Sequence, residues 1–147
     1  MVGKGVGMSV AGILALGFLA AVVREDAEAQ VTKGKQRAAK TVFLMRGIVK
    51  PNCAGAGDLL KDKGPADDKA WETLACHASI LNEMSYVVMD DGRCPDATWA
   101  GAAKSLREGS ASLIGAAEKK DFAVAQEAMK AVTGACKSCH DAHKPKK

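Results

Sequence analysis

The chain has 147 residues, a length that favours one domain, and 48% of them are hydrophobic while only 4% are aromatic. Much of the apolar share is alanine, which favours close-packed helices over a sheet and leaves few large side chains to fill a core. The formal charge of +4 comes from lysines interleaved with acids, a pattern that excludes a nucleic-acid-binding stripe.

Residues 1–29 read as a cleaved signal peptide. Lys4 is the positive start, Val6 to Val23 is an uncharged apolar run, and Ala27-Glu28-Ala29 is a small-x-small cleavage site before Gln30. The run is also close to the length that spans a bilayer, so membrane attachment is expected only if the segment stays uncleaved. Either way, residues 30–147 are expected outside the cytoplasm, in the periplasm.

Four helical patterns follow. The first is expected to start near Thr32, with Ala38, Val42, Met45, Val49, Cys53, Ala56 and Leu60 on one face. Pro51 predicts a kink or short break in it, because proline removes a donor and clashes with the preceding turn. The second pattern opens at Pro65 with Asp67 and Asp68, and carries Trp71, Leu74, Ala78, Leu81 and Val88 inward. Asp90-Asp91-Gly92-Arg93-Cys94-Pro95 is loop chemistry. The third helix follows Pro95-Asp96, with Trp99, Ala103, Leu106, Leu113 and Ala117 inward. Asp121 is the expected N-cap of the fourth, whose inner face is Phe122, Ala125, Met129, Val132, Cys136 and Cys139. Short connections between four amphipathic helices predict an all-α, up-down-up-down antiparallel bundle.

The fourth helix runs into Cys136-Lys137-Ser138-Cys139-His140. Cys-x-x-Cys-His is the attachment signature of c-type haem. Two thiols at that spacing reach the two vinyl groups of one porphyrin, and the adjacent histidine ligates the iron. A thioredoxin-like site would open a helix in a βαβ unit, and a structural zinc site needs four ligands; neither context is present in the sequence. One covalent haem c, with its iron, is therefore expected near the C-terminal end of the fourth helix. It would supply apolar area that the side chains lack, so folding is expected to depend on it.

This layout resembles the cytochrome c prime family, the class II c-type cytochromes, from about Arg37 onward. The segment Gly134 to Lys144 is similar to that family's closing haem segment. Pro95-Asp96-Ala97-Thr98-Trp99 resembles the start of its third helix, and Leu60 to Asp67 its first interhelical turn. The resemblance implies a mono-haem bundle that transforms no substrate, with His140 as the proximal iron ligand. The family divides on the sixth iron site. Leu44-Met45-Arg46 resembles the low-spin branch, which implies Met45 as distal ligand and an electron carrier. The alternative is an open, five-coordinate high-spin site that binds nitric oxide or carbon monoxide, with Met45 as core filler. Counting back from the first turn puts the ligand position at Arg46, a one-residue slip that Pro51 could absorb. The family's usual propionate arginine is replaced by Thr41, so Lys40 or Arg46 is expected to take that contact. A homodimer is among the states the resemblance implies.

Three cysteines remain. An oxidising compartment favours one disulfide, and Cys53–Cys94 is the expected pair; the alternative is three thiols behaving as small hydrophobes. Thr73-Leu74-Ala75-Cys76-His77 looks like a haem motif without its first cysteine, and is read as coincidence. His143 is read as a solvated side chain in a fraying tail. Lys137 and the basic end Lys144-Pro145-Lys146-Lys147 are expected to steer an acidic redox partner toward the haem edge.

Overall fold

The computed structural model describes residues 37–144. The expected signal peptide, and the expected helix start at Thr32, lie outside the described residues. Among the described residues no helix is long and apolar enough to cross a membrane.

Helix α1 runs over residues 41–59 in three continuous pieces: Thr41–Leu44, a π-helical turn at Met45–Val49, and Lys50–Leu59. Lys40 precedes it in an extended conformation. Pro51 does not break it. The irregularity falls one turn earlier, where the Lys50 N–H bonds the Met45 carbonyl five residues back. Proline cannot donate to a carbonyl four residues before it, and the wide turn relieves the crowding in that stretch. Asn52 follows at once, and its side-chain amide donates to the Ile48 carbonyl at 2.7 Å.

Helices α2 (Asp68–Val87), α3 (Ala97–Lys119) and α4 (Phe122–His143) start on aspartate caps. Asp67 accepts from the Ala70 N–H at 2.8 Å, Asp96 from Trp99 at 2.9 Å, and Asp121 from Val124 at 3.1 Å. Each carboxylate satisfies an otherwise orphan donor and sits at the positive end of the helix dipole. Lys120 closes α3 in the left-handed conformation (φ 55°). Such a residue ends a helix and turns the chain back within a few residues.

Each helix packs on the next, and α1 returns to touch α4. The result is the expected all-α four-helix bundle. Leu74, Leu81, Leu113 and Val132 are fully buried at its centre, and Ala56, Ala78 and Ala125 fill the narrow spaces between them.

Candidate haem-binding site

The last turns of α4 carry Cys136, Cys139 and His140. Offsets of three and four residues put all three on one face of a helix. They line a narrow cleft of about 50 Å3 that is partly open to solvent. Val49 from α1, Val88 at the end of α2, and Leu106 from α3 form its apolar wall. Ala102, Ala103 and Ala135 also line it, and their small side chains leave it open. Trp99 is held in place because its indole N–H donates to the Val88 carbonyl at 2.8 Å.

Met45 lines the same cleft, whereas Arg46 is exposed. A π turn lies between Met45 and the first interhelical turn. A π turn takes up one residue more than an α turn, so every position before it is rotated relative to a regular helix. Met45 opens that turn and shares the cleft with Val49.

The expected Cys53–Cys94 disulfide is not formed, and all five cysteines are free thiols. The Cys94 thiol donates to the Asp96 carbonyl at 3.4 Å in its own loop. Cys53 instead packs, half-buried, against the hydrophobic core. Its interaction with Cys136, and then burial, push the Cys136 thiol far up; the same interaction draws Cys53 down from the ordinary thiol value. Burial pushes Cys139 up, and the Asp96 charge adds to it.

His143 is not a solvated tail residue. It lies in α4 with its side chain only 19% exposed. Its ring meets Trp99 edge-on, with centroids 5.3 Å apart at 70°, and its Nε2 is 3.3 Å from the Asp96 carboxylate. Asp96, which caps α3, thus also lies beside the end of the haem-motif helix, though His143 Nε2 makes no hydrogen bond to it. Cys76 is exposed, and His77 is occupied elsewhere: its Nδ1 is 2.9 Å from the Asn52 side-chain oxygen. Its ring also packs against Gly55, where an added Cβ would come within 2.5 Å. Cys76-His77 therefore forms no second site on this cleft.

Lys40 and Arg46, the expected carboxylate partners, are both exposed. The buried cation at this end is Arg93, whose side chain is 1% exposed. Its Nη1 donates to the Ala39 carbonyl at 2.8 Å and to the Thr41 hydroxyl at 3.2 Å. Its Nη2 lies 3.4 Å from Asp91, which Arg37 binds from the other side. Asp91 adopts the left-handed conformation (φ 58°) and Gly92 follows at φ 68°, so the loop folds back and aims Arg93 at the start of α1. No periodicity marks Arg93 or His143. Only the Asp-Gly turn pair hinted that this loop had a fixed shape.

The donor set fits a covalent porphyrin. Two thiols and an imidazole stand on one helix face in an apolar cleft, and another helix adds a thioether. Comparison with known families agrees. Residues 95–144, which span α3 and the haem-motif helix, match the family model described as Cytochrome C'. Comparisons with curated proteins and with solved structures return no match. That match covers the two C-terminal helices, about a third of the chain, and supports the cytochrome c′ family and one covalent haem c as the cofactor.

Proposed function

We propose that the protein is an exported electron carrier whose haem is held by thioethers from Cys136 and Cys139. In this reading His140 is the proximal iron ligand and Met45 the distal one. The observation that carries it is the presence of Met45 on the cleft that His140 also lines. When bound, the haem iron supplies a one-electron couple, and a histidine–methionine pair raises its potential. The chain's own groups do the rest. Met45 fills the sixth position, so no external ligand or substrate need enter. Val49, Val88 and Leu106 would limit the access of water to the ring and so tune its potential. Trp99 and His143 hold the end of α4, and with it the orientation of His140.

Export follows from the reading of residues 1–29 as a signal peptide. Docking to an acidic redox partner rests on Lys144 and the basic end beyond it, since Lys137 already pairs with Asp141 along the helix. Val42 and Phe43, 45% and 60% exposed in the first turn of α1, add an apolar contact surface at the same end. A homodimer belongs to the same proposal.

The absorption spectrum of the purified protein tests the reading. A ferric band from methionine-to-iron charge transfer, with no response of the ferrous form to carbon monoxide, is expected. A five-coordinate high-spin spectrum that shifts with carbon monoxide would replace the carrier by a gas-binding protein of the same family.

A further inference from the structure

His77 belongs to no haem site, yet α1 holds it from two sides. Its Nδ1 is 2.9 Å from the Asn52 side-chain oxygen. Its ring lies against Gly55, where any Cβ would meet Nε2 at 2.5 Å and Cε1 at 2.8 Å. Asn52 is the next link, because its amide nitrogen donates to the Ile48 carbonyl at 2.7 Å. Ile48 lies inside the π turn Met45–Val49. His77 and Asn52 are both half-buried, so water does not freely replace either partner. The directions of these bonds fix a proton. An amide that gives its NH2 to a carbonyl can offer His77 only its oxygen, which accepts, so Nδ1 carries the hydrogen. The opposite amide orientation would set the Asn52 oxygen against the Ile48 oxygen, two acceptors with no proton between them.

Pro51 gives this turn its need for a brace. It brings no N–H to the stretch. The π turn, closed by the Lys50 N–H on the Met45 carbonyl, is a rarer state than the α-helix on either side of it. The Asn52 side chain puts one donor back, and His77 keeps that side chain from rotating away. Residues before a π turn are rotated relative to the helix that follows, so the shape of the turn sets where Met45 stands. We propose that His77 is a positioning residue for Met45: its Nδ1–H holds the Asn52 amide on the Ile48 carbonyl and so fixes the π turn that Met45 opens. The inference rests on the reading of Met45 as the distal iron ligand; the bracing of the turn itself does not.

The test uses the haem-loaded protein. In the ferrous parent, a long-range proton–nitrogen NMR spectrum reports which ring nitrogen of His77 carries hydrogen. A proton on Nδ1 is expected, and a bare Nδ1 overturns the proposal even if no variant folds. In His77→Leu, exchange of the Lys50 amide proton should quicken roughly three- to tenfold, the worth of one neutral hydrogen bond. The Val132 amide, at the buried centre of the bundle, should keep its rate. The ferric methionine-to-iron band should weaken in the same variant. His77→Asn, whose side-chain N–H can stand near the place of Nδ1, should restore both to within about twofold of the parent. Unchanged Lys50 exchange in the leucine variant overturns the proposal, and so does an equal loss in both variants, since packing alone would then account for it. Faster exchange with an undiminished methionine band also overturns it, because the turn would then not position Met45. A parent with no methionine band sinks the distal-ligand reading and the positioning role with it, while the Lys50 exchange still shows whether His77 braces the turn.

Discussion

Replacing Arg93 by methionine should cost about 3 kcal/mol of stability and loosen the first turns of α1. The guanidinium is 1% exposed and makes its shortest bond, 2.8 Å, to the Ala39 carbonyl. A hydrogen bond to a charged group contributes roughly 1.5–3 kcal/mol, and removing one partner of a buried ion pair costs roughly 3–5 kcal/mol. The lower part of that range applies, because Arg37 remains to neutralise Asp91 and the Thr41 and Asp91 contacts are longer, at 3.2 and 3.4 Å. Methionine keeps most of the apolar stem, so little cavity cost is added. For a domain of this size the loss corresponds to about 10–15 °C in Tm. Urea unfolding followed by far-UV circular dichroism measures it directly. Arg93→Lys keeps the charge but not the planar fork, and should fall between the two. Thr41 lies one turn before Met45, so the variant should also weaken the methionine signature of the ferric spectrum. A methionine variant within ~1 kcal/mol of the parent, with an unchanged spectrum, would refute Arg93 as the fixing point of α1.

Four further outcomes are expected. Gly64→Ala should destabilise the fold by about 2–4 kcal/mol, from its left-handed backbone (φ 82°) and a new Cβ 2.5 Å from the Phe122 ring. Gly92→Ala, at φ 68° with open space around it, should lose only the backbone part, about 1 kcal/mol, in the same urea titration. Asp91 gives a pH dependence, because its hydrogen bond to Arg37 holds its carboxyl below the usual carboxylate range. Its stabilisation is therefore complete above the ordinary value of about 3.9 and is lost as pH falls through the lowered one. The urea midpoints of the parent and Asp91→Asn should converge in acid, and a gap that stays constant to low pH would contradict this. Cys139→Ala should retain haem through a single thioether at Cys136. One vinyl group is then left unsaturated, which shifts the pyridine haemochrome band to longer wavelength; an unshifted band would mean that Cys139 makes no bond to the ring.

What the sequence made legible was local chemistry. Asp96 and Asp121 were readable as helix starts because an aspartate cap acts on N–H groups two or three residues away. The inner faces of α2, α3 and α4 were readable because burial follows the helical period, and Leu74, Leu113 and Val132 are all fully buried. The haem motif was readable because its function fixes its spacing. The unread parts depend on which element meets which. Arg93 reaches Ala39 across 54 positions in the chain, and no short pattern announces such a contact. His143 looked like a frayed terminus until Trp99 and Asp96 stood beside it. Pro51 gave a correct warning of irregularity in α1, but the strain emerged as a π turn at Met45–Val49 instead of a break. That displacement settles which residue, Met45 or Arg46, lines the cleft.

The claim that His140 and Met45 share one iron is tested most directly by proton NMR of the ferrous protein. A methionine methyl held over the face of a porphyrin lies in its ring current and resonates far upfield of ordinary methyl groups. The chain has six methionines, so assignment requires comparison with Met45→Leu. The account predicts one methyl so shifted in the parent protein and none in the variant. An upfield region empty in the parent, or a shifted methyl that persists without Met45, would contradict it.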